Sequence, residues 1–177
     1  MGKKVIKLDL STTGINRAIK EVETYKKDFL NKVDIYQKRL ADEIGKLAER
    51  GFASSRVDDI VGGSSRPAEV TVSVNHNGNI SLVIAKGKDV VWCEFGAGVY
   101  HNGSAGSSPH PLGGEMGLTI GSYGKGHGSQ NVWGYYEIPG DPDTLVLTHG
   151  TEATMPMYNA VQTIVPLAVK IAREVFA

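Results

Sequence analysis

The chain has 177 residues, with 19 basic and 19 acidic side chains and a formal net charge of zero. That length suits a single domain, 1–177, large enough for a real core. The balanced charge calls for neither nucleic acid nor a membrane surface as a strong electrostatic partner. No apolar run reaches the roughly eighteen residues of a membrane-spanning helix. Met1-Gly2-Lys3-Lys4-Val5 lacks the apolar stretch of a secretory signal, and Ile6 stands where a myristoylation motif needs Ser or Thr. The lone cysteine, Cys93, excludes an intrachain disulfide and fits a reducing compartment. Half of the 22 glycines fall between Gly96 and Gly128, a segment that cannot be an ordinary packed core.

Val5 to Leu10 alternates apolar and polar residues and predicts a short strand. Ser11, Thr12 and Thr13 offer helix N-caps. From Ile15 the period changes. Ile15, Ile19, Val22, Phe29, Val33, Tyr36, Leu40, Ile44 and Leu47 recur at threes, fours and sevens, one apolar stripe on a helix from Gly14 to Arg50. Gly45 weakens that helix near its end, and Gly51 is its expected stop. A helix lying across a sheet is the ordinary reading of such a stripe; a coiled-coil seam is the alternative.

Ser54 to Pro67 is polar and reads as a loop. Val70, Val72 and Val74 then alternate with polar residues, Asn77-Gly78 follows, and Ile80, Leu82 and Ile84 resume the alternation, which predicts a β-hairpin turning at Asn-Gly. Gly87-Lys88-Asp89 breaks it, and Asp89 can cap a short helix or turn carrying Val90 to Phe95. Glu94 lies inside this apolar stretch. A lone buried carboxylate is costly, so Glu94 must be at an edge, paired, or at a subunit contact. A Gly-rich excursion runs from Gly96 to about Val132, with one weak strand around Leu118, Ile120 and Tyr123. Its composition predicts a flexible insertion, about 99–131, inside the domain. Strands return at Trp133 to Ile138 and Leu145 to Leu147, separated by Pro139-Gly140-Asp141-Pro142. A C-terminal helix spans Met155 to Phe176, with Thr154 as N-cap, Pro156 in the first turn, and Pro166 bending it. The fold class is therefore α+β: a long N-terminal helix, an antiparallel sheet of about four strands that includes the hairpin, a C-terminal helix packed on the sheet, and a long Gly-rich loop.

His101, His110, His127 and His149, with Cys93 and Glu94, lack the tight spacing of structural zinc sites and read as solvated loop histidines, so no metal is expected. Cys93 with His127 or His149 could form a cysteine hydrolase, but the apolar flank of Cys93 suits a small buried residue better. Gly121 to Gly126 lacks the glycine spacing of a phosphate loop. Lys125 and His127 could touch DNA phosphates, a weak footprint. Trp133, Tyr135 and Tyr136 could stack on bases, though alternating aromatics on a strand usually form cross-strand pairs. No catalytic residue and no cofactor is expected.

Val91-Trp92-Cys93-Glu94-Phe95-Gly96 is similar to the motif of apolar residues, Glu, aromatic and Gly found in the head–tail joining and tail-completion (neck) proteins of long-tailed bacteriophages. Ala97 stands where that family usually has Thr. Gly150-Thr151-Glu152-Ala153-Thr154-Met155-Pro156-Met157-Tyr158-Asn159-Ala160 resembles the family's closing pattern, in which small residues and Pro lead into a helix through an aromatic and an Ala. The order of elements from Ser11 to Ala177 resembles the family's as well. The resemblance implies a non-enzymatic virion protein that forms a ring, six subunits being expected, at the head-proximal end of the tail. Its partners would be copies of itself, the connector and the tail-tube proteins, with DNA passing through the lumen without sequence-specific binding and no membrane. It would reside in the virion neck, and in the host cytoplasm during assembly. Glu94, Phe95, Gly96, Leu112, Met116, Leu118, Ile120, Lys125 and His127 are the residues expected at subunit or partner contacts. A coiled-coil interaction module without a ring is the remaining alternative.

Overall fold

Helix α1 (Thr12–Ser54) is the spine of the molecule. At 1.5 Å per residue it is about 65 Å long. In the computed structural model, the residues described are 5–6, 9–58, 60–98, 108–113, 115–116 and 132–177. Ser11 caps α1 as expected, its hydroxyl oxygen accepting from the Gly14 N–H at 3.0 Å. The helix does not stop at Gly51. A Cβ at Gly45 would collide with Val74 Cγ2, and one at Gly51 would lie 2.9 Å from Pro156 Cβ. Both glycines are therefore close-approach sites inside the helix, one for a strand and one for another helix. The expected strand at Val5 to Leu10 is absent from its described residues, 5–6 and 9–10.

Among the described residues, eight short strands pair in twos, each pair antiparallel. β1 (Arg56–Val57) pairs with β2 (Arg66–Pro67), so the segment read as a loop contains a small ribbon. β3 (Thr71–Asn77) pairs with β4 (Ile80–Lys86) in the expected hairpin. Its turn sits one residue later than Asn77-Gly78: Asn77 faces Ile80, the two loop residues are Gly78 and Asn79, and Gly78 has φ 55°. Glycine at the first loop position with a left-handed φ is the type II′ pattern, which matches strand twist as well as type I′ does. β5 (Ala97–Gly98) pairs with β8 (Gly150–Thr151), and β6 (Trp133–Tyr136) with β7 (Leu145–Thr148). The expected four-stranded sheet is thus divided into separate ribbons. The weak strand at Leu118, Ile120 and Tyr123, and most of the flexible insertion at 99–131, lie outside the described residues.

Helix α2 (Val90–Phe95) follows the hairpin. The C-terminal helix is split into α3 (Pro156–Ile164) and α4 (Ala168–Phe176) by a 3₁₀ turn at Val165–Leu167 that contains Pro166. Proline removes a helical donor and crowds the preceding turn, so the break falls where the sequence places it. α3 and α4 pack chiefly on α1 rather than on a sheet. Two apolar centres result. One surrounds Phe52, Val57 and Cys93, walled by Val70, Val72, Val90 and Met157. The other is aromatic: the Phe176 ring lies 5.7 Å from Phe29 and 6.0 Å from Tyr36, joining α4 to the middle of α1.

Candidate functional site

Glu94 is 6% exposed, and the structure resolves its three possible settings in favour of an internal partner. Its Oε2 accepts from the Met157 N–H at 2.9 Å, and its Oε1 from the Tyr158 N–H at 2.8 Å. These are donors of the first turn of α3, which a helix cannot satisfy for itself. Pro156 opens α3 and has no N–H to satisfy, and the Asn159 N–H donates to Met155 O at 2.9 Å. The N-terminus of α3 is thereby fully partnered, with a carboxylate at the positive end of the helix dipole. Thr154, the expected N-cap, is used elsewhere. Its N–H donates to Cys93 O at 2.9 Å, and its hydroxyl meets that of Ser55 at 2.6 Å. The residue preceding α3 is Met155, which adopts a left-handed φ of 50°.

The described part of the Gly-rich excursion closes over this carboxylate. The Ser108 hydroxyl donates to Phe95 O, and the His110 N–H donates to Ser108 Oγ at 3.2 Å. His110 is 5% exposed, so it is not the solvated loop histidine the sequence suggests. Its ring lies between Phe95, 4.4 Å between centroids, and Tyr158, 5.2 Å. The Leu112 N–H points at His110 Nδ1 from 3.0 Å, which makes Nδ1 the acceptor. Nε2 then carries the hydrogen and faces Glu94 Oε1 at 3.3 Å. The site is a clamp: one carboxylate joins α2, the start of α3 and the turn at 108–113.

A second ionic knot supports the clamp from the hairpin side. Asp89, 2% exposed, receives both terminal nitrogens of Arg66, at 2.7 and 2.9 Å, and the Glu69 N–H at 2.7 Å. Arg66 also reaches Asp58 Oδ2 through Nε at 3.0 Å. Burial pushes the Asp89 carboxyl up, but the Arg66 and Glu69 hydrogen bonds and the charges of Arg66 and Lys88 outweigh it and hold it below the ordinary carboxylate range. A bidentate guanidinium–carboxylate pair has the geometry for this.

Cys93 lies in the core with no exposure, and burial, aided by Asp89, pushes its thiol up to about 11. Nucleophilic cysteines have the opposite environment, partly exposed and electropositive. Among the described residues, no cluster of three metal-binding side chains occurs, and no helix is long and apolar enough to cross a membrane. Of the expected contact residues, Glu94, Phe95 and Gly96 sit in or beside the clamp, whereas Leu112 and Met116 are exposed, at 49% and 62%. Leu118, Ile120, Lys125 and His127 lie outside the described residues. Nothing in the sequence pointed to Ser108, and Tyr158 was visible only as the aromatic of the closing pattern, not as a partner of Glu94. For His110 the only hint was its confinement between Pro109 and Pro111. No protein family, curated protein or solved structure matches the chain.

Proposed function

We propose that this chain is a structural component of the neck of a long-tailed bacteriophage, a ring-forming protein that completes the tail and joins it to the head. One observation carries the reading. The two short motifs that resemble the neck family, Val91 to Gly96 and Gly150 to Ala160, are built into one unit. Cys93 O receives the Thr154 and Met155 N–H groups, Glu94 caps α3, and Ala97–Gly98 pairs with Gly150–Thr151. A motif of apolar residues, Glu, aromatic and Gly thus has a physical role: the glutamate finishes a helix that the second motif begins. The site holds parts together, which suits a scaffold.

The exposed surface supports head-to-tail assembly. On the outer face of β4, Ile80 and Leu82 are exposed, while Val83 on the same strand faces inward, so β4 is apolar on both sides. A different ribbon, β6–β7, exposes Tyr136, Leu145 and Leu147. Two unlike apolar patches suit a heterologous contact, the kind that closes rings. The test is electron microscopy of the assembled protein, together with complementation of a phage lacking it. Rings and restored joining of heads to tails are expected. Particles that never form rings, with heads and tails left unjoined, would overturn the proposal.

A further inference from the structure

The first half of α1 carries an apolar seam that stays exposed ahead of Phe29. Ile15, Ile19, Val22, Phe29, Val33, Tyr36 and Leu40, with Lys26 between Val22 and Phe29, follow an unbroken alternation of four- and three-residue steps, the spacing of a coiled-coil seam. From Phe29 onward the seam is occupied within the protomer. Phe29 and Tyr36 meet Phe176 of α4, Tyr36 Oη reaches Ala168 O at 3.4 Å, and Lys32 Nζ reaches Ala177 O at 3.0 Å. Among the described residues, no ring contact or hydrogen bond of α4 falls on α1 before Phe29. Among the described residues, no hydrogen bond, ion pair or ring contact joins residues 16–28 to another element. Ile19 and Val22 are each 51% exposed. A helix of this length, rich in β-branched residues and without a packing partner, is marginal in water. The free seam therefore continues an interface that elsewhere in the same helix is filled by another helix.

We propose that the segment Thr12–Asp28 of α1 pairs antiparallel with the same segment of a second copy of this chain, forming a two-fold coiled-coil contact. Two features of the seam favour antiparallel over parallel. A parallel pair in register would set Lys26 against its own copy. In the antiparallel pair, Lys26 lies opposite Ile15 near the end of the overlap, where its stem packs and its ammonium reaches water. The overlap also ends naturally: Thr12 of each copy comes level with Phe29 of the other, where α4 already fills the seam. Ile19 and Val22 of the two copies then form the central layers. A two-fold contact closes on itself and contributes nothing to a head-to-tail ring. It belongs to the chain before or outside ring closure.

Sedimentation of the full chain between about 1 and 100 µM tests the contact. A dimer is expected, weakened at least 100-fold by Val22→Asp and tightened about 10-fold by Lys26→Ile. Val22 is half exposed in the protomer, so thermal unfolding of the dilute Val22→Asp protein serves as the folding control and should be unchanged. Orientation is read by disulfide trapping in a Cys93→Ala background. A mixture of Ile15→Cys and Lys26→Cys chains should cross-link, and Ile15→Cys chains alone should not, because their sulfurs lie about 16 Å apart along the axis. A chain monomeric at 100 µM, a dimer indifferent to both seam variants, or cross-linking of Ile15→Cys chains to one another would each overturn the proposal. The contact rests on α1 alone. A chain that dimerises this way yet fails to restore joining would retire the neck reading and leave this one standing.

Discussion

Glu94 shows how much one buried carboxylate can organise. Its two oxygens meet two backbone donors and a histidine, so its burial is compensated rather than tolerated. Its apolar neighbours made it conspicuous in the sequence. Its backbone partners, 63 and 64 residues away, were not legible, because nothing local in Met157 or Tyr158 announces a missing cap. His110 misleads for the same reason: a histidine in a Gly/Ser-rich stretch looks solvated until Phe95 and Tyr158 are placed around it. Glu94→Gln keeps the shape but turns one acceptor into a donor aimed at a backbone N–H. We expect a loss of about 1–3 kcal/mol, read as a melting temperature lower by several degrees. An unchanged melt would mean that α3 finds its cap elsewhere.

The helices and the β3–β4 hairpin were legible as elements because their periods are long enough to be unmistakable. The two-residue strands β1, β2, β5 and β8 carry no period at all, and only tertiary contact creates them. The glycines of α1 were read by propensity, as weakness and as a stop, whereas packing decides their role. Gly45 gives a sign test. In a solvent-exposed helix, Gly→Ala stabilises by about 1 kcal/mol. Here the added methyl meets Val74 Cγ2, so Gly45→Ala should destabilise by about 1–3 kcal/mol. The double variant Gly45→Ala/Val74→Ala should recover part of that loss. Chemical denaturation of the three proteins decides it, and a more stable Gly45→Ala would show that the hairpin is free to shift away.

For the whole molecule, the clamp gives one part of the Gly-rich excursion, Ser108 and His110, a role in the fold itself. A deletion from His101 to Gly128 would remove Ser108 and His110, both buried, and so would damage the clamp. Replacing only residues 117–131 with a Gly-Ser linker of about eight residues leaves both anchors in place. Halving a loop changes its closure entropy by only about 0.6 kcal/mol. The trimmed protein should therefore melt within a few degrees of the parent and still fail to join heads to tails. A large fall in stability would instead place this stretch within the fold's own support.

The pairing of strands only in twos also bears on how the protein behaves in a tube. Among the described residues, β4 bonds to β3 alone, so its other edge offers a row of unpaired backbone donors and acceptors. The segment Ile80-Ser81-Leu82-Val83-Ile84-Ala85 has no charge and no proline, and its first charged neighbour is Lys86. Such an edge is a template for uncontrolled strand addition, the route to fibrils and precipitate. In the ring proposed above, a neighbour covering β4 would also act as its solubiliser. The purified chain should then be hardest to keep in solution under the conditions that hold it apart from that cover, and a charge placed at Leu82 would extend its storage life at the expense of the assembly.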